Sequence, residues 1–468
     1  MTTAFRKEGN TAMLRKPHRC VTVILSAGLF AVCSQIASAQ DESSGISSAW
    51  TSYFMLRSEF SEQRLDKKIP AAEVASQNAL LDLNLTGKTE FSPLLRLQAD
   101  VDVFARKSWN FKKRNIQTGA VLITSKGSDD NPAYRLALNE LYVNGEPATG
   151  FQYTAGKKRV LWGTGFAANP TDLLNPAKNP LDPTYERRGA WLLQGEHVQE
   201  KQTFALVFAP EVLEDKNTMP TDAGVLRDPD GVRRMHSLTG LRWYSLVGEA
   251  DVNLIAFYSD RFKNQKASAL SAGASWSQIA TAISKQLETH AEVLARQGSD
   301  RPLPDGTSRL DSDHIFFRSL VGMRYDFDNE SSLVFEYLYQ SDGDSVADLQ
   351  SRLQRGFAAA RLSRSATFAP SAQNAMRNTL FLNYQRYKFN DDAFLSWAIA
   401  HNPHDHSGFQ GPVFQWTPSQ SVAVTLSAST DYNLVKESGA EISGIGRVRG
   451  NELNPVKSRL GLEVKAYY

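Results

Sequence analysis

Apolar and polar residues alternate along segments of about ten residues, and this pattern restricts the fold more than any other feature of the chain. Leu95, Leu97, Ala99, Val101 and Val103 share one face of an extended segment, while Arg96, Gln98, Asp100 and Asp102 share the other. Leu81, Leu83 and Leu85 alternate likewise with Asp82, Asn84 and Thr86. So do Val252, Leu254, Ala256 and Tyr258 with Asp251 and Asn253, and Val422, Val424 and Leu426 with Thr425 and Ser427. A period of two belongs to a β-strand, and a strand built this way separates two solvents. Strands of about 9 to 11 residues are what a tilted crossing of the hydrocarbon layer needs, whereas soluble sandwiches use about 5 to 6. Beyond the first forty residues no segment approaches about 18 uninterrupted apolar residues, which does not favour helical spans.

The connections alternate too. Short ones fall at 87–92, 144–150, 196–201, 247–250, 326–330, 389–391 and 417–420. Between them lie long ones at 59–78, 105–132, 161–187, 210–236, 260–313, 341–376, 401–411 and 431–457. Short turns at one end and long loops at the other are the asymmetry of a transmembrane barrel. Counting from strand 50–57 to strand 458–468 predicts an all-β, closed antiparallel barrel of about 16 strands. An even count puts both termini at the short-turn end and lets the last strand pair with the first, so that no open edge is left in lipid.

At the front of the chain, Arg15, Lys16 and Arg19 precede an apolar run at 21–32 and the small-residue site Ala37-Ser38-Ala39. That order predicts a secretory signal peptide over residues 1–39 and a mature barrel over 40–468. Cys20 and Cys33, the only cysteines, fall inside the leader, so the mature chain is expected to have neither disulfide nor thiolate metal site. Five of the 52 basic residues and one of the 50 acidic ones go with the leader, leaving 47 against 49. A balance near zero argues against a nucleic-acid partner.

At the other end, Leu460, Leu462, Val464, Ala466 and Tyr468 form one face of the last strand, with Arg459, Glu463 and Lys465 on the other. A final strand ending in an aromatic residue resembles the signal read by barrel-assembly machinery. Trp50, Tyr53, Tyr142, Trp191, Trp243, Tyr258, Tyr325, Tyr339, Tyr387, Trp397 and Trp416 sit near predicted strand ends, where interfacial girdles would lie.

The stretch Gly156-Lys157-Lys158-Arg159-Val160-Leu161-Trp162-Gly163, followed by Asn169-Pro170, Asp172 and Asn175-Pro176, resembles a motif of porin-like outer-membrane proteins of proteobacteria. More loosely it is similar to the alginate-export barrels. The resemblance covers about 40 residues and implies a transport barrel of the Gram-negative outer membrane, without naming a solute. It also implies that the third external loop folds into the barrel. Here that loop carries Gly163, Gly165, Pro170, Pro176, Pro180 and Pro183, residues that fix a chain outside helix and strand. Asp172, Lys178, Asp182 and Arg187 are then the candidates for a pore constriction; a rigid loop that stays external is the competing arrangement.

Further charges are expected on lumen-facing positions: Arg96, Arg242, Arg318, Arg324, Arg386, Arg459 and Lys465 against Asp82, Asp100, Asp102, Glu336 and Glu463. Such groups can stay ionised because water reaches them, and their sign tunes selectivity. Two long loops are expected to contain short helices, because Trp276, Ile279, Ile283, Leu287, Ala291 and Leu294 recur every three or four residues, as do Val346, Leu349, Leu353 and Phe357. Their apolar stripes are expected to pack together over the mouth, with a plug or a partner protein as competing arrangements.

Together these features predict a passive or loop-gated channel for small solutes, with no cofactor and no catalytic residue. The expected partners are outer-membrane lipid, the assembly machinery and the solute; a homo-oligomer stays open. An outer-membrane enzyme or an export component is the alternative. Its best support is His401-Asn402-Pro403-His404-Asp405-His406, a cluster with imidazoles for a divalent metal, although three histidines around a proline are more often a solvated turn.

Overall fold

The computed structural model describes residues 47–63, 74–114, 121–124, 133–175, 189–210, 212–214, 233–235, 237–262, 267–284, 286–299, 311–351, 353–354, 376–387, 392–435, 437–442, 446–449, 451 and 456–468. Among them, eighteen strands form the wall: β1 (Ser47–Gln63), β2 (Val74–Ser92), β3 (Leu95–Arg114), β4 (Ala133–Ala148), β5 (Phe151–Lys158), β6 (Ala190–Val198), β7 (Gln202–Ala209), β8 (Leu238–Val247) and β9 (Ala250–Phe262), then β10 (Ala267–Ile279), β11 (Leu287–Gln297), β12 (Ile315–Phe327), β13 (Ser331–Gln340), β14 (Asn378–Arg386), β15 (Ala393–Asn402), β16 (Ser407–Ser419), β17 (Val422–Asn433) and β18 (Val456–Tyr467).

Each strand pairs antiparallel with the next. Strand β18 returns to β1 in a register running from Tyr53 opposite Tyr467 to Glu62 opposite Ser458. The seam continues past the last strand, where Tyr468 N donates to Ser52 O at 2.8 Å and Ser52 N donates to Tyr468 O at 3.2 Å. A closed ring leaves no unpaired edge, which is the condition lipid imposes on a β-structure.

Burial follows the alternation. On β7, Ala205, Val207 and Ala209 are buried while Phe204, Leu206 and Phe208 are exposed; on β9, Ile255 and Phe257 are buried while Leu254 and Tyr258 are exposed. Leu56, Phe60, Phe317, Val321, Leu426, Leu460 and Leu462 extend the outward apolar band around the ring. This is the exterior of a transmembrane barrel. Outward aromatics fall at both rims, Phe151, Phe327 and Trp416 at one and Phe60, Phe208, Tyr258 and Phe317 at the other. Three aromatics expected in the girdles face inward instead: the Tyr142 hydroxyl donates to Gln98 at 2.7 Å, the Tyr53 ring lies 4.8 Å beneath the Lys465 ammonium, and the Tyr387 hydroxyl donates to Gln385 at 2.8 Å on the face of Phe381.

Connections 93–94, 149–150, 199–201, 248–249, 280–286, 328–330, 387–392 and 420–421 lie at one end of the ring, together with both strand termini. At the other end lie 64–73, 115–132, 159–189, 210–237, 263–266, 298–314, 341–377, 403–406 and 434–455. Two of these, 263–266 and 403–406, are themselves short.

The barrel therefore has two more strands than the sequence pattern predicts. Both come from 260–313, which is not one external loop with a helix but contains β10 and β11 and a turn at the opposite end of the barrel. The helical spacing through Trp276, Ala291 and Leu294 is coincidental. Trp276 and Ala291 pair across the outward face of the hairpin, whereas Leu294 points inward and is fully buried. The second expected helix exists over residues 346–351, where Ser345 and Asp348 cap one another: Ser345 N and Oγ donate to the Asp348 carboxylate, and Asp348 N donates back to Ser345 Oγ. Its Leu349 and Leu353 are buried not against another helix but against the hairpin Ala440–Ile442 and Gly446–Val448 of the last long loop. Phe357 lies outside the described residues.

Candidate functional site

The interior face of the wall is not polar throughout. Ala205, Val207 and Ala209 of β7, Ile255 and Phe257 of β9, Leu294 of β11, Leu320 of β12, Leu338 of β13 and Phe381 of β14 are apolar and buried, though water would fill an empty barrel. What covers them is the third connection of the long-loop end, whose described part is 159–175. Val160, Trp162 and Leu174 pack on β6, β7, β9 and β11, with the Trp162 ring stacked on Phe257 at 5.2 Å and an angle of 27°. Ala167 and Ala168 pack against Leu320, Leu338 and Phe381. The loop thus enters the barrel and follows the inner wall from β6 to β14, half of the ring.

Two carboxylates at the middle of their strands hold it there. Glu292 of β11 accepts from Thr164 N (2.6 Å), Gly165 N (2.7 Å) and Asn169 Nδ2 (3.1 Å) on one oxygen, and from Thr171 N (3.0 Å) and Thr171 Oγ1 (2.7 Å) on the other. Glu336 of β13 accepts from Phe166 N (2.5 Å) and Ala167 N (2.7 Å). Four successive backbone N–H groups, 164 to 167, therefore end on carboxylate oxygens. A loop taken from water into a barrel must find partners for its backbone, and charge-assisted acceptors are the strong ones.

Glycines admit these contacts. A Cβ at Gly163 would stand 2.4 Å from Asn169 Nδ2 and 2.8 Å from Glu292 Oε1. Gly322 of β12 lies in register between His290 of β11 and Glu336 of β13. Lacking a side chain, it lets the imidazole reach across one strand, so that His290 Nε2 donates to Glu336 Oε1 at 2.8 Å; a Cβ at 322 would meet that nitrogen at 2.3 Å. The edge of the His290 ring meets Phe166 at 5.3 Å, and the Arg324 guanidinium lies over the same Phe166 at 5.6 Å.

The base of the loop is closed separately. Val160 N donates to Asn175 Oδ1 at 3.3 Å and the Asn175 amide donates back to Val160 O; that amide also donates to both oxygens of Asp172, each at 2.9 Å. Arg159, where the loop leaves β5, is 3.4 Å from Glu140 and 3.6 Å from Asp100.

Of the constriction candidates, Asp172 is thus buried at the base of the loop with its carboxylate on Asn175; Lys178, Asp182 and Arg187 lie outside the described residues. Among the lumen candidates, Arg96 pairs with Glu90 at 3.1 Å, and Arg318 with Asp342 at 2.7 Å. Arg242 Nε donates to Asn253 at 2.8 Å, Arg324 pairs with Asp326 at 2.8 Å, and Asp100 and Asp102 accept from Asn84 and Asn139. Arg386 differs: its register on β14 puts it on the face of Leu382, opposite to inward Phe381. Among the described residues the histidines of 401–406 form no group of three placed to hold a metal ion, although the His401 and His406 rings are 6.4 Å apart. The His401 ring stacks on Tyr432 at 5.9 Å, and His404 Nε2 is hydrogen-bonded to Asn378.

Sequence reasoning placed Glu336 inside the barrel but missed Glu292 and His290, which it had assigned to a helix. The readable signal was strands such as 202–209, apolar on both faces, since an apolar inner face in a water-filled barrel requires something to cover it.

No protein-family model and no curated protein matches the sequence. Solved structures do match. OccK8 (OprE) of Pseudomonas aeruginosa is 8% identical with a TM-score of 0.49, over 90% of this chain and 98% of that one. OccAB3 of Acinetobacter baumannii is 10% identical with a TM-score of 0.46, over 90% and 99%. OmpF of Salmonella typhi, in complex with daunomycin, is 9% identical with a TM-score of 0.42, over 91% and 99%. At these identities and scores the likeness carries no inference about what passes through this barrel.

Proposed function

We propose that residues 40–468, released from a secretory leader at 1–39, form a channel for small solutes in the outer membrane of a Gram-negative bacterium. The bore is set by the loop 159–189. Barrels of about 16 to 18 strands leave an aqueous passage, whereas about 8 strands are filled by their own side chains. The observation that carries the reading is the position of residues 159–175, packed along the inner wall from β6 to β14 and pinned at mid-height by Glu292 and Glu336. A loop so placed narrows the passage without plugging it. Asp172 braces the loop base, and Lys178, Asp182 and Arg187, which follow it in the chain, are proposed as the charges of the constriction. The barrel conducts and performs no reaction. The test is conductance of the purified, heat-modifiable protein in planar bilayers: discrete steps are expected, and a correctly folded barrel that gives none would overturn the reading.

A further inference from the structure

Across the barrel from Glu292 stands a second group of polar side chains, which the loop touches only where Arg159 meets Asp100. In a ring of eighteen, β2 is nine strands from β11, so Asp82 and Asn84 of β2 lie on the wall opposite Glu292. With them are Asp100 and Asp102 of β3 and Asn139 of β4. Asn84 Nδ2 donates to Asp100 Oδ1 and Asp102 Oδ1, both at 2.7 Å, and Asn139 Nδ2 donates to Asp102 Oδ2 at 2.5 Å. The two amides thereby hold two carboxylates close together.

The cations nearby are already engaged. Arg159 serves Glu140 and Asp100; Arg57 Nε donates to Glu463 at 2.7 Å; Lys465 is 3.6 Å from the same Glu463. Asp82 is 7% exposed, yet its Oδ1 accepts no hydrogen bond and it has no ion-pair partner among the described residues. Asn84, 2% exposed, has its Oδ1 unpartnered as well. Both orphan atoms are acceptors, so the site lacks donors, and a buried acceptor without a donor is costly. The two orphan oxygens are themselves buried, and the group meets the passage through Asp102 and Lys465, which keep partial exposure.

A metal ion does not fit, because among the described residues no three carboxylates or imidazoles are placed to hold one. A primary ammonium does: it brings a positive charge and three N–H donors, enough for two acceptors with one left for water. We propose that Asp82, Asn84 and Asp102 form a subsite for the primary ammonium group of a passing solute. This rests on the channel reading given above and names the chemistry that the channel favours.

Putrescine is the probe, and tetramethylammonium, a cation with no N–H, is its control. In planar bilayers putrescine should interrupt the current at concentrations at least tenfold below those at which tetramethylammonium does, and Asp82→Asn should remove most of that advantage. Equal potency of the two cations on the parent protein would overturn the subsite whether or not the variant assembles, as would an Asp82→Asn channel blocked like the parent. Equilibrium dialysis of putrescine against the detergent-solubilised barrel reads the same site without conductance. Binding lost in Asp82→Asn supports it, and no binding to the parent overturns it, even if the barrel proves not to be a channel.

Discussion

Thr171 donates twice to Glu292, through its backbone nitrogen at 3.0 Å and its hydroxyl at 2.7 Å, although 121 residues separate them. That pair ties the far end of the inward loop to the wall at mid-barrel, and Glu292 Oε1 takes the near end at Thr164 and Gly165. One side chain therefore fixes both limbs. Hydrogen bonds to a charged group are worth about 1.5 to 3 kcal/mol each, so Glu292→Ala should release the loop. Expected is a shift of the open-channel current from one level to several. Glu292→Gln, which keeps acceptor oxygen but no charge, should fall between variant and parent.

Gly322→Ala puts a methyl group 2.3 Å from His290 Nε2 and 2.7 Å from Glu336 Cγ. Either partner must move, and Glu336 cannot do so while holding Phe166 and Ala167. The folded band on unboiled gels should convert to the unfolded one at a temperature several degrees lower than for the parent. The same substitution at Gly195, where nothing lies within 4 Å of the added carbon, should leave that temperature unchanged.

Truncating Trp162 to alanine removes a ring that is 1% exposed and stacked on Phe257. Large-to-small changes of this type cost about 3 to 5 kcal/mol in well-packed sites. The loop should detach from β7 and β9, and proteolysis of the refolded barrel should gain cleavage within 159–175. A digestion pattern identical to the parent's would place Trp162 outside the loop's anchorage.

Deleting Tyr468 removes the reciprocal hydrogen bonds with Ser52 at the seam between last and first strands. Assembled, heat-modifiable protein should fall several-fold in the outer-membrane fraction. Tags at 298–314 and 434–455 should be labelled on intact cells, whereas a tag at 280–286, on the opposite rim, should not. Labelling at 280–286 would mean that β10 and β11 do not span.

The wall was legible because its cause is local: a strand such as β3 has apolar and ionic faces, and no tertiary contact is needed to see that. The inward loop was legible in part, since Pro170, Pro176 and the glycines mark a chain held outside regular structure. Its anchors were not. Glu292 is one carboxylate among many, and what gives it a role is Thr164, Gly165 and Thr171 arriving from far along the chain. The β10–β11 hairpin was misread for a related reason. Leu294 is apolar because the loop covers it, which breaks the strand alternation and leaves an accidental helical spacing with Ala291 and Leu287. Asp172 is a constriction candidate by sequence, but its bonds to Asn175 give it to the loop's base, a pairing that the Asp-x-x-Asn spacing alone does not reveal.

The most direct test of the central claim is single-channel conductance of Glu292→Ala combined with Glu336→Ala, beside the parent in the same salt. Both carboxylates gone, the backbone of 164–167 loses its acceptors and the loop should leave the wall. The account predicts that the double variant changes its mean conductance by at least about twofold and loses the parent's single narrow level. Identical conductance and identical current noise in the two proteins would contradict a bore set by this loop.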